Sequence, residues 1–170
     1  NYYQNLIGIL RWSVELGRID IHYHVPVLSR YLAAPREGHL EQVFSIFAYL
    51  KRHLTYKLVM DSTPVTWDEK KFPKHNWDDF YPDAAEQLPP NMPEPRGKSV
   101  QINCFVDADH AGDVVSRRSH TGIILYINRA PIIWYSKRQN TVETSTFGSE
   151  FIAMKIATEM IEGLRYKLRM

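Results

Sequence analysis

The spacing of hydrophobic positions changes twice along the chain. In the first 60 residues they recur at steps of three and four: Leu6, Ile9, Leu10 and Val14, then Val43, Phe47, Leu50 and Leu54, with Val25–Leu32 as a shorter candidate between them. That is the spacing of amphipathic helices. Pro26 sits where a first helical turn tolerates proline, and Pro35 precedes the third helix. A subdomain of about three helices over residues 1–60 follows. From residue 99 the period becomes two: Val100, Ile102, Cys104 and Val106 alternate with Gln101, Asn103, Phe105, Asp107 and Asp109, the pattern of a strand that ends in acids on one face. Thr121–Asn128 and Pro131–Lys137 are rich in isoleucine and aromatics and meet at Asn128-Arg129-Ala130, which predicts an antiparallel pair with a tight turn. Thr144, Ser145 and Thr146 offer capping hydroxyls for a helix from about Phe147 towards Arg165. The fold class is α+β, with helices first and a β-β-β-α unit over residues 99–170.

Between these halves, residues 61–98 carry seven of the ten prolines, from Pro64 to Pro95, among many acids. Proline removes an amide donor and fixes φ, so no regular element runs far there. A flexible linker of that length spans about 35 Å. Trp67, Phe72, Trp77, Phe80 and Tyr81 leave two alternatives open: rings docked on a neighbouring domain, or plain mobility.

Composition narrows the classes. With 44% hydrophobic and 24% charged residues in 170, a core is affordable and wholesale disorder is excluded. No apolar run approaches the roughly 20 residues of a membrane-spanning helix, so no membrane partner is expected. The single cysteine, Cys104, permits neither an internal disulfide nor a cysteine metal cluster and reads as a buried thiol. A net charge of +2 neither demands nor excludes nucleic acid. The basic residues of the helical part, among them Arg11, Arg18, Arg30, Arg36, Lys51 and Arg52, read as a phosphate-contacting face or as ordinary solvated charge. Asn1 opens the chain and Met170 closes it inside a helical pattern, which suggests a fragment.

Two acids stand out. At about 100° per residue, Phe147, Phe151, Ala153, Met154, Ala157, Met160, Ile161 and Leu164 cluster around Glu150, which predicts a carboxylate aimed at the sheet. Such a group wants a cation or a metal, unless it reaches solvent or the positive end of the helix dipole. Asp107 closes the first strand, where an acid is also a common turn residue. A helix packed on the face of Asp107 would bring the two carboxylates together. Like charges about 4 Å apart repel by roughly 4 kcal/mol at an effective dielectric of 20, so the pair would want a divalent ion, with Mg²⁺ the natural choice for carboxylates and water.

Tyr3-Gln4-Asn5-Leu6-Ile7-Gly8-Ile9-Leu10, Arg18-Ile19-Asp20-Ile21, Leu28-Ser29-Arg30-Tyr31-Leu32 and Tyr49-Leu50-Lys51 closely resemble the stretch just after the polymerase active site in copia-type LTR retrotransposon Pol polyproteins. Val106-Asp107-Ala108-Asp109-His110-Ala111-Gly112-Asp113, Arg117-Arg118-Ser119-His120-Thr121-Gly122, Trp134-Tyr135-Ser136-Lys137-Arg138-Gln139 and Ser145-Thr146-Phe147-Gly148-Ser149-Glu150-Phe151-Ile152-Ala153 resemble the start of the same family's ribonuclease H domain. The resemblance covers most of the chain outside the linker.

It implies a thumb-like helical end of a reverse transcriptase at residues 1–60, a linker at 61–98, and the first part of an RNase H-like domain at 99–170. It further implies that Asp107 and Glu150 bind Mg²⁺ ions that cleave the RNA strand of an RNA–DNA hybrid, in a two-ion site when the domain is complete. Arg117, Arg118, Lys137, Arg138 and Gln139 become candidate contacts to the hybrid or to template-primer. The remaining Pol segments become partners, and an intracellular, cytoplasmic particle or a nuclear integration complex becomes the setting. Departures matter too. His110 stands where the family usually has tryptophan, and Phe147-Gly148 replaces small or acidic residues. The polymerase aspartates and the later RNase H acids lie outside this sequence. The expectation is therefore an enzyme segment inactive alone, with a non-catalytic nucleic-acid-binding or structural remnant as the alternative.

Overall fold

The computed structural model describes residues 2–73, 75–85 and 87–169. Helix α1 (Tyr2–Glu15) is followed by a 3₁₀ turn (Ile19–Ile21), α2 (His24–Ser29) and α3 (Glu37–Arg52); β1 (Ile102–Asp109), β2 (His120–Ile127), β3 (Ala130–Arg138) and α4 (Thr146–Arg169) complete the chain. The α+β class and the β-β-β-α order are as the sequence predicts.

The helical part buries Tyr3, Ile7, Leu10 and Val14 of α1 against Ile21, Val25, Leu28, Val43 and Ile46. The stripe on α1 thus runs through Ile7, while Ile9 is exposed. Leu54 is exposed because α3 stops at Arg52. Beyond Glu15 the chain leaves α1 through Gly17, whose φ of +109° suits glycine. The Gly17 and Arg18 amides there close onto the Val14 and Ser13 carbonyls. Tyr3 donates its hydroxyl to the Leu28 carbonyl at 2.9 Å, pinning α1 to α2. Arg18 forms a two-point pair with Asp20 and lies over the Tyr56 ring, and Arg30 turns towards the sheet. These two arginines of the candidate phosphate face are therefore spent on internal contacts.

The strands form an antiparallel sheet in the order β1-β2-β3. α4 covers one face, over Cys104, Val106, Ile123, Leu125, Ile133 and Tyr135. Burial there pushes the Cys104 thiol upward, as expected of an inert cysteine. The other face meets the helical part, and Trp134 packs onto that part's core.

Among the described residues of 61–98 there is one short 3₁₀ turn, Trp77–Asp79, capped by the Asn76 side chain. Trp67, Phe72, Trp77, Phe80 and Tyr81 are exposed; Trp67 meets Phe72 edge-on, and the rings of Trp77 and Phe80 lie side by side. The start of the segment is tied down. Asn128, at φ +55° in the β2–β3 turn, donates to the Ser62 carbonyl at 2.7 Å and accepts from the Gln101 amide at 3.0 Å. Asn128→Ala is expected to cost about 2 kcal/mol in urea denaturation, because it removes both bonds and puts a Cβ residue without a local partner in the left-handed region.

Candidate functional site

Asp107 lies on the β1 face turned away from α4. Three rungs cross the sheet there: Phe105, Ile124 and Trp134; then Asp107, Gly122 and Ser136; then Asp109, His120 and Arg138. The 3₁₀ turn and the start of α2 stand over these rungs and leave a groove of about 590 Å³, lined by Asp107, Asp109, Gly122 and Ser136 and by Ile19, His22 and Tyr23 from the helical side. Asp107 is exposed and takes no hydrogen bond or ion pair from a described residue. Asp109 folds over the Gly112 backbone, where an added Cβ would meet its carboxylate at 1.9 Å.

The condition under which the two carboxylates would converge, α4 on the face of Asp107, is not met, since α4 covers the opposite face. Glu150 lies beside the contact. The seam of α4 against the sheet runs through Ser149, Ala153 and Ala157, small residues one turn apart that allow close approach, whereas Phe147, Phe151 and Met154 are exposed. Glu150 sits between the two stripes, half-buried and without a hydrogen bond or ion pair from a described residue. It lies at the same end of the sheet as Asp107, because the neighbouring Ser149 hydroxyl contacts His110 Nδ1, one residue beyond β1, at 3.3 Å. As donors the two acids suit Mg²⁺, which takes one or two carboxylates and keeps its waters. Among the described residues no three His, Cys, Asp or Glu side chains gather to hold a metal.

Gln139, a candidate nucleic-acid contact, is 4% exposed. Its amide donates to Thr121 Oγ1 at 3.0 Å and to the Ser149 carbonyl at 2.9 Å, tethering the start of α4 to the sheet. It is a structural tether because both donors are consumed inside the fold. Arg138 is bound to Asp113. Arg117, held at φ +57°, and Lys137 are exposed, and Arg118 is half-buried.

One cluster has no counterpart in the sequence reading. Arg30 Nη2 lies 2.9 Å from His120 Nδ1, and His120 Nε2 lies 2.8 Å from Ser136 Oγ. Arg30 also approaches Asp113 at 3.5 Å. Asp113 accepts from Ser116 Oγ at 2.6 Å and pairs with Arg138. An arginine is only a donor, so Nδ1 accepts and the neutral Nε2–H tautomer donates to Ser136. Tyr23 meets the same imidazole edge-on, with ring centroids 5.2 Å apart. This network joins the helical part to the sheet. Its signal in the sequence is the parity of His120, Gly122 and Ile124, which places an imidazole on the face of the acids; its partner 90 residues away leaves no local trace.

Among the described residues no helix is long and apolar enough to cross a membrane. No family model matches the chain, and no solved structure matches it. Curated proteins do. The chain is 25% identical over 167 residues to secreted RxLR effector protein 161 of Plasmopara viticola, covering 98% of this chain and 94% of that protein. It is 28% identical over 151 residues to the retrovirus-related Pol polyprotein from transposon TNT 1-94 of Nicotiana tabacum, covering 89% of this chain and 9% of the polyprotein. It is 44% identical over 136 residues to a transposon Ty5-1 protein of Saccharomyces cerevisiae, covering 80% of this chain and 33% of that protein. Alignments of that length run through both the helical part and the sheet, so the chain is similar across its two halves to a short stretch of retrotransposon Pol polyproteins.

Proposed function

We propose that the chain is a segment of a retrotransposon Pol polyprotein spanning the end of a reverse transcriptase and the start of an RNase H-like domain, with Asp107 and Glu150 contributing to Mg²⁺-dependent hydrolysis of RNA in RNA–DNA hybrids. The observation that carries this reading is the similarity to the tobacco polyprotein over 89% of the chain. The β-β-β-α order and two carboxylates at one end of the sheet that take no partner from a described residue support it. Bound Mg²⁺ would prepare a water nucleophile and stabilise the leaving 3′ oxygen. Asp107 and Glu150 would hold the ions, and exposed Lys137 and Arg117 would meet phosphates. Two carboxylates are too few for efficient cleavage, so the chain by itself is read as inactive.

The test joins to Met170 the segment that follows the matched stretch in the polyprotein relatives. The extended protein is expected to cleave an RNA–DNA hybrid when Mg²⁺ is added and to stop when it is chelated. If it folds and does not cleave, the second reading stands: a non-catalytic module of the same fold. That reading is favoured by the match to 94% of the length of the Plasmopara protein, where a similar stretch makes up nearly a whole protein.

A further inference from the structure

We infer that the groove between the sheet and the helical part is a binding site for a small planar cation that presents two parallel N–H donors, an amidinium or guanidinium, with Asp107 as its carboxylate partner. The inference goes beyond the metal reading and does not depend on it. At about 590 Å³ the groove is within the size range of small-molecule sites. Its middle rung places a carboxylate, a bare floor and a hydroxyl in line: Asp107, Gly122 and Ser136. A Cβ built on Gly122 meets no atom within 4 Å, so the space above the floor is open. The neighbouring rung adds Trp134 to the lining and the helical side adds Tyr23, aromatic groups that attract a cation brought near them.

Charge favours a cation. Asp107 takes no partner from a described residue, whereas the nearby arginines, Arg30 and Arg138, are both held by Asp113. A carboxylate and a planar N–C–N edge match in a two-point fork, which a simple ammonium does not provide.

Benzamidine is the probe, titrated into the full chain by calorimetry. Saturable one-to-one binding is expected. Benzylamine, with the same ring and charge and no fork, should bind about tenfold more weakly, as befits the loss of one charge-assisted hydrogen bond. Asp107→Asn should weaken benzamidine by about tenfold or more. Gly122→Val, which fills the floor, should abolish binding while circular dichroism stays unchanged. Glu150→Gln, outside the groove, should leave it unaltered. Absence of saturable binding, equal affinity for benzylamine, or equal affinity in Asp107→Asn would each overturn the inference. Mg²⁺ titration of the same variants separates the two readings: a metal site that fails leaves benzamidine binding intact, and lost Mg²⁺ binding in Glu150→Gln with benzamidine retained assigns the two ligands different carboxylate sets.

Discussion

Asp107→Asn, introduced into the extended chain, is expected to reduce hybrid cleavage by about 10³-fold with no measurable change in stability. A divalent ion at a phosphoryl centre supplies several kcal/mol of charge stabilisation, and each 1.36 kcal/mol is a tenfold rate. Exchanging a carboxylate for an amide would remove the charge proposed to hold the ion while keeping the shape. The fold should not respond, because Asp107 is exposed and takes no hydrogen bond or ion pair from a described residue; surface changes of that kind usually stay within about 0.5 kcal/mol. Single-turnover cleavage and urea denaturation on the same preparation check both halves. Asp109→Asn is the contrast, since its carboxylate is folded over Gly112 and should matter less to cleavage.

The second large effect is acid lability centred on His120. The imidazole is 5% exposed, and burial first, then the charge of Arg30, pull its pKa from 6.5 to about 4, with Asp109 opposing and His22 and Arg138 adding to the fall. A histidine lowered by folding is a neutral group in the native state. Above pH 6.5 neither state carries its proton and its contribution is complete. Between pH 6.5 and 4 the unfolded chain takes up the proton first and stability falls. Below 4 both states are protonated and the loss is finished. At 1.36 kcal/mol per unit the loss approaches about 3 kcal/mol. The geometry gives the reason: a protonated His120 would turn an Nδ1–H towards a guanidinium that also only donates.

Denaturation at several pH values from 7 to 4 should show this slope, and His120→Gln should flatten it. His22, also lowered by burial, contributes in the same window and survives the substitution. Asp113 acts elsewhere. Bonds from Ser116 and Arg138 hold it well below the usual carboxylate range, so its contribution is intact above about pH 4 and fails only in stronger acid. A pH profile that is flat from 7 to 4.5 in the unaltered chain would remove His120 from the network that joins the two parts.

The segments of this chain are legible in its sequence because their signals are local. Period three-to-four before residue 60, proline after it and period two beyond residue 99 each depend on neighbours within a few positions, and the helices, the long irregular stretch and the β-β-β-α order follow from them. The strand parity of Asp107 was equally plain. What one helix does to the side of another element is not local. The apolar residues of α4 cover a wide arc, with Ala153 and Ala157 on one side of Glu150 and the bulkier Phe147, Phe151 and Met154 on the other, and periodicity alone centres that arc on Glu150. Packing favours the side of the small residues, since Ser149, Ala153 and Ala157 let the helix sit close to β1 and β2, and Gln139 ties down its first turn.

That choice set which face of the sheet remained for Asp107, and the helical part then closed over it through Arg30, His120 and Asp113. The sequence by itself determined the elements, their order and the chemistry each could offer. Tertiary structure alone decided which acids share a space, because close approach and the pairing of buried charge depend on residues as far as 90 positions apart.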